Sequence, residues 1–364
     1  MQEQPENRKP PSGSSFPYLP MDLKGSFLII PAIAIILIFI LVFIFSKTPG
    51  RTLYFFFFGP FRNIFSFGNM VNSAIPLMLG ALGVSIAMKT GSLNLGGEGQ
   101  IYAGALSATI TALALPHLGF LGGVAAVLAG MLLAGMAAAL SGALKAWWNT
   151  NELITTFLIS NILLRVVNYL VTGPFLDPET NLQATEKISL QLRLPRILTP
   201  SNLSAALYIA LAVLVLAHIF LYRTKRGYEF RIGGANEIFS RYGGINTKLN
   251  TVIAMFFSGT LYGMAGGLAV CGTYYGTIRD FSEGMGWNGL AVALIARFYP
   301  PAIIPASLFF AWIGAGGRIA MQNSEITFET AAIVQAVVFF LATSIYLRTQ
   351  LKVRKPVTRK KVQP

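Results

Sequence analysis

The stretch Asn94-Leu-Gly-Gly-Glu98-Gly-Gln100 sets one carboxylate and two carboxamides in a backbone interrupted by Gly96, Gly97 and Gly99. It lies between two apolar runs. A charge at mid-helix costs about 2.5–3.5 kcal/mol on insertion scales, so an acid at this depth needs a partner or a task. Two readings stand side by side. Asn94, Glu98 and Gln100 line a polar cavity faced by the freed backbone, or Glu98 pairs with a cation such as Lys89 and only fixes the loop. A second constellation opens a later run: Asn151, Glu152, Thr155, Thr156, Asn161, Arg165 and Asn168. Asn151 suits a helix N-cap, and Glu152 complements the positive end of the helix. The threonines and Asn161 can bond across helices at about 0.6 kcal/mol each. Arg165 sits near a run's end, where it can snorkel. Asn72 and Asn288 are further pathway candidates of the same type.

A third constellation is polar: Gly234-Ala-Asn236-Glu237-Ile-Phe-Ser-Arg241-Tyr242-Gly-Gly-Ile245. Asn236 can cap a short helix with Glu237 in its first turn, and Gly243-Gly244 ends it. Ile238, Phe239 and Tyr242 form an apolar edge. Such a helix docks into a groove on another protein or rests on lipid headgroups. Catalytic signals are missing. The nearest approach to a phosphate loop, Gly83–Thr90, has Met88 where the second glycine must stand. No serine-nucleophile elbow or paired-carboxylate pocket is apparent, so no catalytic residue is assigned. Cys271 is the only cysteine, and His117 and His218 are isolated, so neither a disulfide nor a metal site is expected.

The elements that must position these residues are apolar. Of 364 residues, 54% are hydrophobic and 12% charged, against about 25% charged in an ordinary soluble protein; mean hydropathy is +0.60. These values predict an all-α polytopic membrane protein. Runs recur at 26–46, 69–88, 100–115, 119–144, 153–172, 203–222, 251–271, 287–298, 302–320 and 328–347. The reading is therefore a flexible tail over 1–25, a transmembrane domain over 26–347, and a basic tail over 348–364. The net charge of +14 would suggest nucleic acid in a soluble protein. Here the cations sit between and after apolar runs, as in cytoplasmic loops, so no nucleic-acid partner is expected. The segment 223–250 and the tail are the two basic clusters. Placing both inside puts both termini inside and the loops 47–68 and 173–202 outside; the tail's cations can also attract anionic membrane lipid. The Gly-broken stretches after the second and seventh runs occupy corresponding places, each feeding a shortened run. That pattern predicts two inverted-topology halves with broken helices.

Four separated stretches resemble one family, the permease subunits of ABC importers for simple sugars and nucleosides, in the branched-chain amino acid/ribose permease superfamily. They are Ala81 through Gln100, Asn151–Thr156 running to Asn161, Arg223 through Asn246, and Ser258–Gly267 followed by Gly289–Leu294. The second stretch looks like the nucleoside branch, and the resemblance covers about 65–345. Arg297-Phe-Tyr-Pro-Pro departs from the usual pattern. The resemblance implies about ten spans, a central pathway formed with a second permease, and a bacterial inner-membrane location. It implies a heterodimer before a homodimer, ABC ATPase subunits bound inside, and an extracytoplasmic substrate-binding protein. ATP and Mg²⁺ would be held by the ATPase, with no cofactor on this chain. The coupling helix falls on Gly234–Ile245, with Asn236, Glu237, Arg241 and Tyr242 touching the ATPase. The competing classes are an ion-gradient transporter or channel, which needs more ionisable residues at mid-depth, and an intramembrane enzyme, which needs a catalytic cluster.

Overall fold

The computed structural model describes residues 23–282, 284–325, 332–337, 339–341 and 343–344. Most of the expected N-terminal tail, the basic C-terminal tail and parts of the last apolar run lie outside the described residues. Among the described residues the chain is helical, and strand geometry is limited to two isolated bridges, Ala184–Ile278 and Arg196–Ser204.

Twelve α-helices follow in order: α1 (Leu23–Phe45), α2 (Pro49–Phe58), α3 (Ile64–Met88), α4 (Gly97–Ala114), α5 (Gly119–Trp148), α6 (Glu152–Thr172), α7 (Ala206–Arg223), α8 (Lys225–Ala235), α9 (Glu237–Tyr242), α10 (Thr247–Ala269), α11 (Met285–Ile295) and α12 (Pro300–Asn323). A further apolar helical segment lies at Ala332–Leu341. Among the described residues six helices, counting short extensions, are long and apolar enough to cross a bilayer: Ile64–Met88, Pro116–Trp148, Glu152–Thr172, Ala206–Arg223, Thr247–Tyr274 and Pro300–Asn323. The sequence's ten apolar runs therefore do not become ten long helices among the described residues. α11 has 11 residues, a rise of about 17 Å against a hydrocarbon core of about 30 Å.

The centre is built on backbone contact. α4, α5 and α10 cross at Gly104, Gly130 and Gly263. A methyl group on Gly104 would stand 2.6 Å from the Gly263 Cα, and one on Gly263 would collide with the Gly130 carbonyl oxygen. In lipid, where apolar surfaces gain little by leaving the solvent, such close approach supplies the dispersion energy that holds helices together. α3 completes the core along its inner half, where every residue from Leu77 to Ala87 is buried. By contrast α5, α6 and α7 each leave an outer row of large apolar side chains exposed, including Leu132, Met136, Phe157, Ile162, Val215 and Leu216. That is the surface a lipid-facing helix carries.

Two connections differ from the sequence expectation. The segment 47–68, read as an outer loop, contains α2, which packs on α12. The Trp312 indole N–H donates to the Phe57 carbonyl at 3.3 Å, and Phe56 stacks edge-on against the same ring. The polar segment 223–250 is also helical at its start, as α8. The unusual Arg297-Phe-Tyr-Pro-Pro run has a backbone explanation. Arg297 and Phe298 both adopt left-handed conformations (φ 51° and 57°), turning the chain before Pro300 opens α12.

Candidate translocation and coupling sites

The two Gly-broken stretches meet where Glu98 bonds to the start of α11. The first is anchored by residues 89–91, where Gly234 of α8 is pressed against the Lys89 carbonyl. The second is anchored at 275–279, where Thr277 and Tyr275 carbonyls accept from the Thr185 and Ile188 amides of the 173–202 loop. α7 separates that loop from α8 by its 18 residues, about 27 Å of helix.

Glu98, in the first turn of α4, reaches across to the start of α11. Its Oε1 accepts from the Gly284 N–H at 3.0 Å and its Oε2 from the Gly286 N–H at 2.8 Å. α11 begins after a glycine, which offers no capping side chain. The carboxylate supplies that cap and places a negative charge at two helix N-termini together. Gly286 makes this possible, since a methyl there would collide with the Glu98 amide nitrogen. Of the two readings of Glu98, pairing with Lys89 is not what forms. Lys89 lies at the other end of the break, beside Arg231 and the Tyr222 ring. Burial, and then the Arg231 charge, lower its pKa to about 8.

Asn94 and Gln100 bond to each other. The Asn94 amide donates to Gln100 Oε1 (2.8 Å) and Ser258 Oγ (3.0 Å), while its Oδ1 accepts from the Gly96 N–H (2.9 Å) and Gln100 Nε2 (3.2 Å). All three side chains are fully buried. They close the broken backbone here instead of facing an open cavity. α6 contributes the rest: Thr156 Oγ1 accepts from the Leu95 N–H and Ser160 Oγ from the Gly99 N–H. The extended stretch thereby gains the partners that a helix would have given it.

The remaining candidates are dispersed. Asn151 caps α6 through the Leu153 N–H (2.9 Å). Glu152 pairs with Lys145 at 2.7 Å, and the same ammonium donates to the Gly91 carbonyl and Ser92 Oγ. Asn72 donates to Thr273 Oγ1 at 3.0 Å. Asn161 faces outward and bonds back to its own helix at the Phe157 carbonyl. Asn288 lines a cleft between α3, α11, α12 and the Ala332–Leu341 segment, together with Ser73, Ser282, Arg318 and Gln335. Arg318 is absent from the sequence reading. Its signal was present, as a lone charge inside the apolar run 302–320.

At the 223–250 end, Asn236 Oδ1 accepts from the Phe239 N–H at 3.0 Å and starts α9, as its sequence predicts. Glu237 pairs with Arg241 across one turn, and Arg241 also reaches Thr247 Oγ1. Gly243 and Gly244 end the helix, Gly244 with φ +75°. Ile238, Phe239 and Tyr242 are 64%, 66% and 89% exposed. Gly234 is a packing residue under the Lys89 carbonyl, and Ile245 is half-buried.

A bundle of apolar helices with two Gly-broken stretches in contact, a glycine-crossed centre and an exposed capped helix has the parts of a transport permease. Residues 66–343 match the family described as branched-chain amino acid transport system / permease component. The chain belongs to this family and is the permease component of an ABC importer, a subunit type that works with an ATPase and a substrate-binding protein. It is 34% identical over 319 residues to the probable riboflavin import permease protein RfuC of Treponema pallidum, covering 86% of this chain and 84% of the relative. The guanosine ABC transporter permease protein NupP of Bacillus subtilis is 28% identical over 333 residues, covering 88% of this chain and 94% of the relative. The glucose ABC transporter permease protein TsgB13 of Haloferax volcanii is 30% identical over 294 residues, covering 76% and 75%.

Proposed function

We propose that this chain forms the pathway of an ATP-driven importer for nucleosides or simple sugars, in a bacterial inner membrane, with both termini cytoplasmic. In this reading the chain has about ten spans in two inverted halves, with α4 and α11 as the paired half-helices. It assembles with a second, related permease as a heterodimer. The observation that carries the coupling is the edge Ile238–Phe239–Tyr242. Three large apolar side chains stand exposed on a short helix that is capped at both ends and anchored by α8, a preformed insert for a groove on the ATPase. Asn236 holds its start, Glu237 and Arg241 clamp its side, and Tyr242 is the anchor.

ATP and Mg²⁺ act on the ATPase. Closure of that subunit moves α9, and α8 transmits the movement to Lys89 and the first broken stretch through the Gly234 contact. From there Lys145, held to Gly91, Ser92 and Glu152, links the break to α6, and Glu98 links α4 to α11. The two half-helix N-termini then shift together, opening the pathway to one side at a time. The substrate-binding protein delivers solute at the 173–202 end.

The test is uptake into proteoliposomes of the whole transporter, with guanosine, riboflavin and glucose offered separately. ATP-dependent accumulation of at least one is expected. Accumulation that needs no ATP but follows an imposed ion gradient would replace this reading with a secondary transporter.

A further inference from the structure

The cleft between α3, α11 and α12 contains a guanidinium. Arg318 stands on α12, five residues before its end at Asn323; it is exposed and has no hydrogen-bond or ion-pair partner among the described residues. The Asn288 and Gln335 amides, which line the same cleft, also have none among the described residues. Ser73 spends its hydroxyl proton on the Met70 carbonyl, leaving its oxygen lone pairs to the cleft. One wall is apolar, with the buried Phe310 ring in it. Among the described residues of the lining there is no carboxylate. Charged side chains on spanning helices are rare, and those present face cavities and mark solute paths. Asn288 belongs to the first turn of α11, so the cleft floor is the half-helix that Glu98 caps.

We propose that this cleft is a solute-binding station on the pathway, and that its occupant is an uncharged or anionic solute rich in acceptor oxygens, not a cation. The inference rests on the importer reading and gives that pathway its first polar contacts. The guanidinium presents five donors in a planar fork, which suits ring carbonyls or the oxygens of a polyol. The two amides adapt to either donors or acceptors. A cation would meet the like charge of Arg318, with no acid among the described lining residues to offset it. Because α11 carries Asn288, movement of that half-helix would make and break the station during the cycle.

The experiment uses the whole transporter in proteoliposomes and the three probes guanosine, riboflavin and glucose. Arg318→Met is expected to lower uptake of the transported probe at least tenfold, with the ATPase still co-purifying. Arg318→Lys should recover a measurable part, and Asn288→Leu should fall at least threefold. A second readout is independent of transport. Cys271 is buried, so an Arg318→Cys variant gives this chain a single accessible thiol. Its labelling by a methanethiosulfonate reagent should slow at least threefold in the presence of the probe. Full uptake by Arg318→Met would overturn the proposal, as would labelling of Arg318→Cys indifferent to all three probes. Absence of ATP-dependent uptake in the wild type would instead count against the importer reading, while probe protection of the thiol would still establish the station.

Discussion

The carboxylate of Glu98 and the amide of Gly286, 188 positions apart in the chain, lie 2.8 Å from each other. One side chain thus joins the starts of α4 and α11. The bond is charge-assisted and points into the positive end of α11, so it is stronger than a neutral cap.

Replacing Glu98 by Ala should therefore leave the Gly284 and Gly286 amides without acceptors. A loss of about 1–3 kcal/mol is expected, the cost of an unmade buried hydrogen bond. Glu98→Gln should lose less, since one amide oxygen still accepts. Thermal melts of the two variants in the same detergent give the order, and equal melting temperatures for both and the wild type would contradict it.

Tyr242 is 89% exposed and makes no packing contribution to this chain. Tyr242→Ala, alone or with Phe239→Ser, should leave the melting temperature within about 1–2 °C, as surface changes stay near ±0.5 kcal/mol. It should reduce ATPase co-purification at least fivefold. Retention of the ATPase by the double variant would show that α9 is not the docking element.

Glycine substitutions separate packing from propensity. Gly263→Ala must push against the Gly130 carbonyl and the Ala134 methyl, and Gly266→Ala against the Ile101 carbonyl. Each is expected to destabilise by about 1–3 kcal/mol, the range for overpacking a tight core. Gly233, in α8, would place its methyl no nearer than 3.9 Å to Thr247. Gly233→Ala should be neutral or stabilise by up to about 1 kcal/mol through helix propensity. Melts of the three variants measure the contrast directly.

Lys89 gives a pH signature. Its pKa is lowered to about 8 from the ordinary 10.5, first by burial and then by Arg231. The fold therefore disfavours the charged lysine, and this penalty is full below pH 8. Between pH 8 and 10.5 the folded protein has released the proton while the unfolded chain still holds it, so this group makes stability rise with pH. Lys89→Met removes the penalty. The variant should melt above the wild type at pH 7, and the gap should shrink as pH rises through 8 toward 10. A gap constant across that range would exclude Lys89 as its cause.

The helices were legible where hydrophobicity runs long. The run 119–144 became part of α5, and 153–172 corresponds to α6 with its Asn151 cap in place. The α9 cap at Asn236 and its glycine stop were equally readable, because capping is a local property. What was not legible depends on contacts distant in sequence. Nothing near Glu98 names Gly284 and Gly286 as its partners. Whether Asn94 faces water or Ser258 is decided 164 residues away. α2 was missed because its aromatic stretch Tyr54–Phe58 acquires a partner only when α12 brings Trp312 to it. Arg318 was in plain view as a charge within an apolar run, and only the cleft around it gave that charge a meaning.

The crossing at Gly104, Gly130 and Gly263 fixes what can and cannot travel during a transport cycle. With three backbones touching there, no side chain remains to bend or swivel, so sliding one helix along another would grind carbonyl oxygens into Cα hydrogens. α4, α5 and α10 must turn as one solid wedge. Any gap that admits a solute has to open at the wedge's borders, where the seams are filled with pliable side chains.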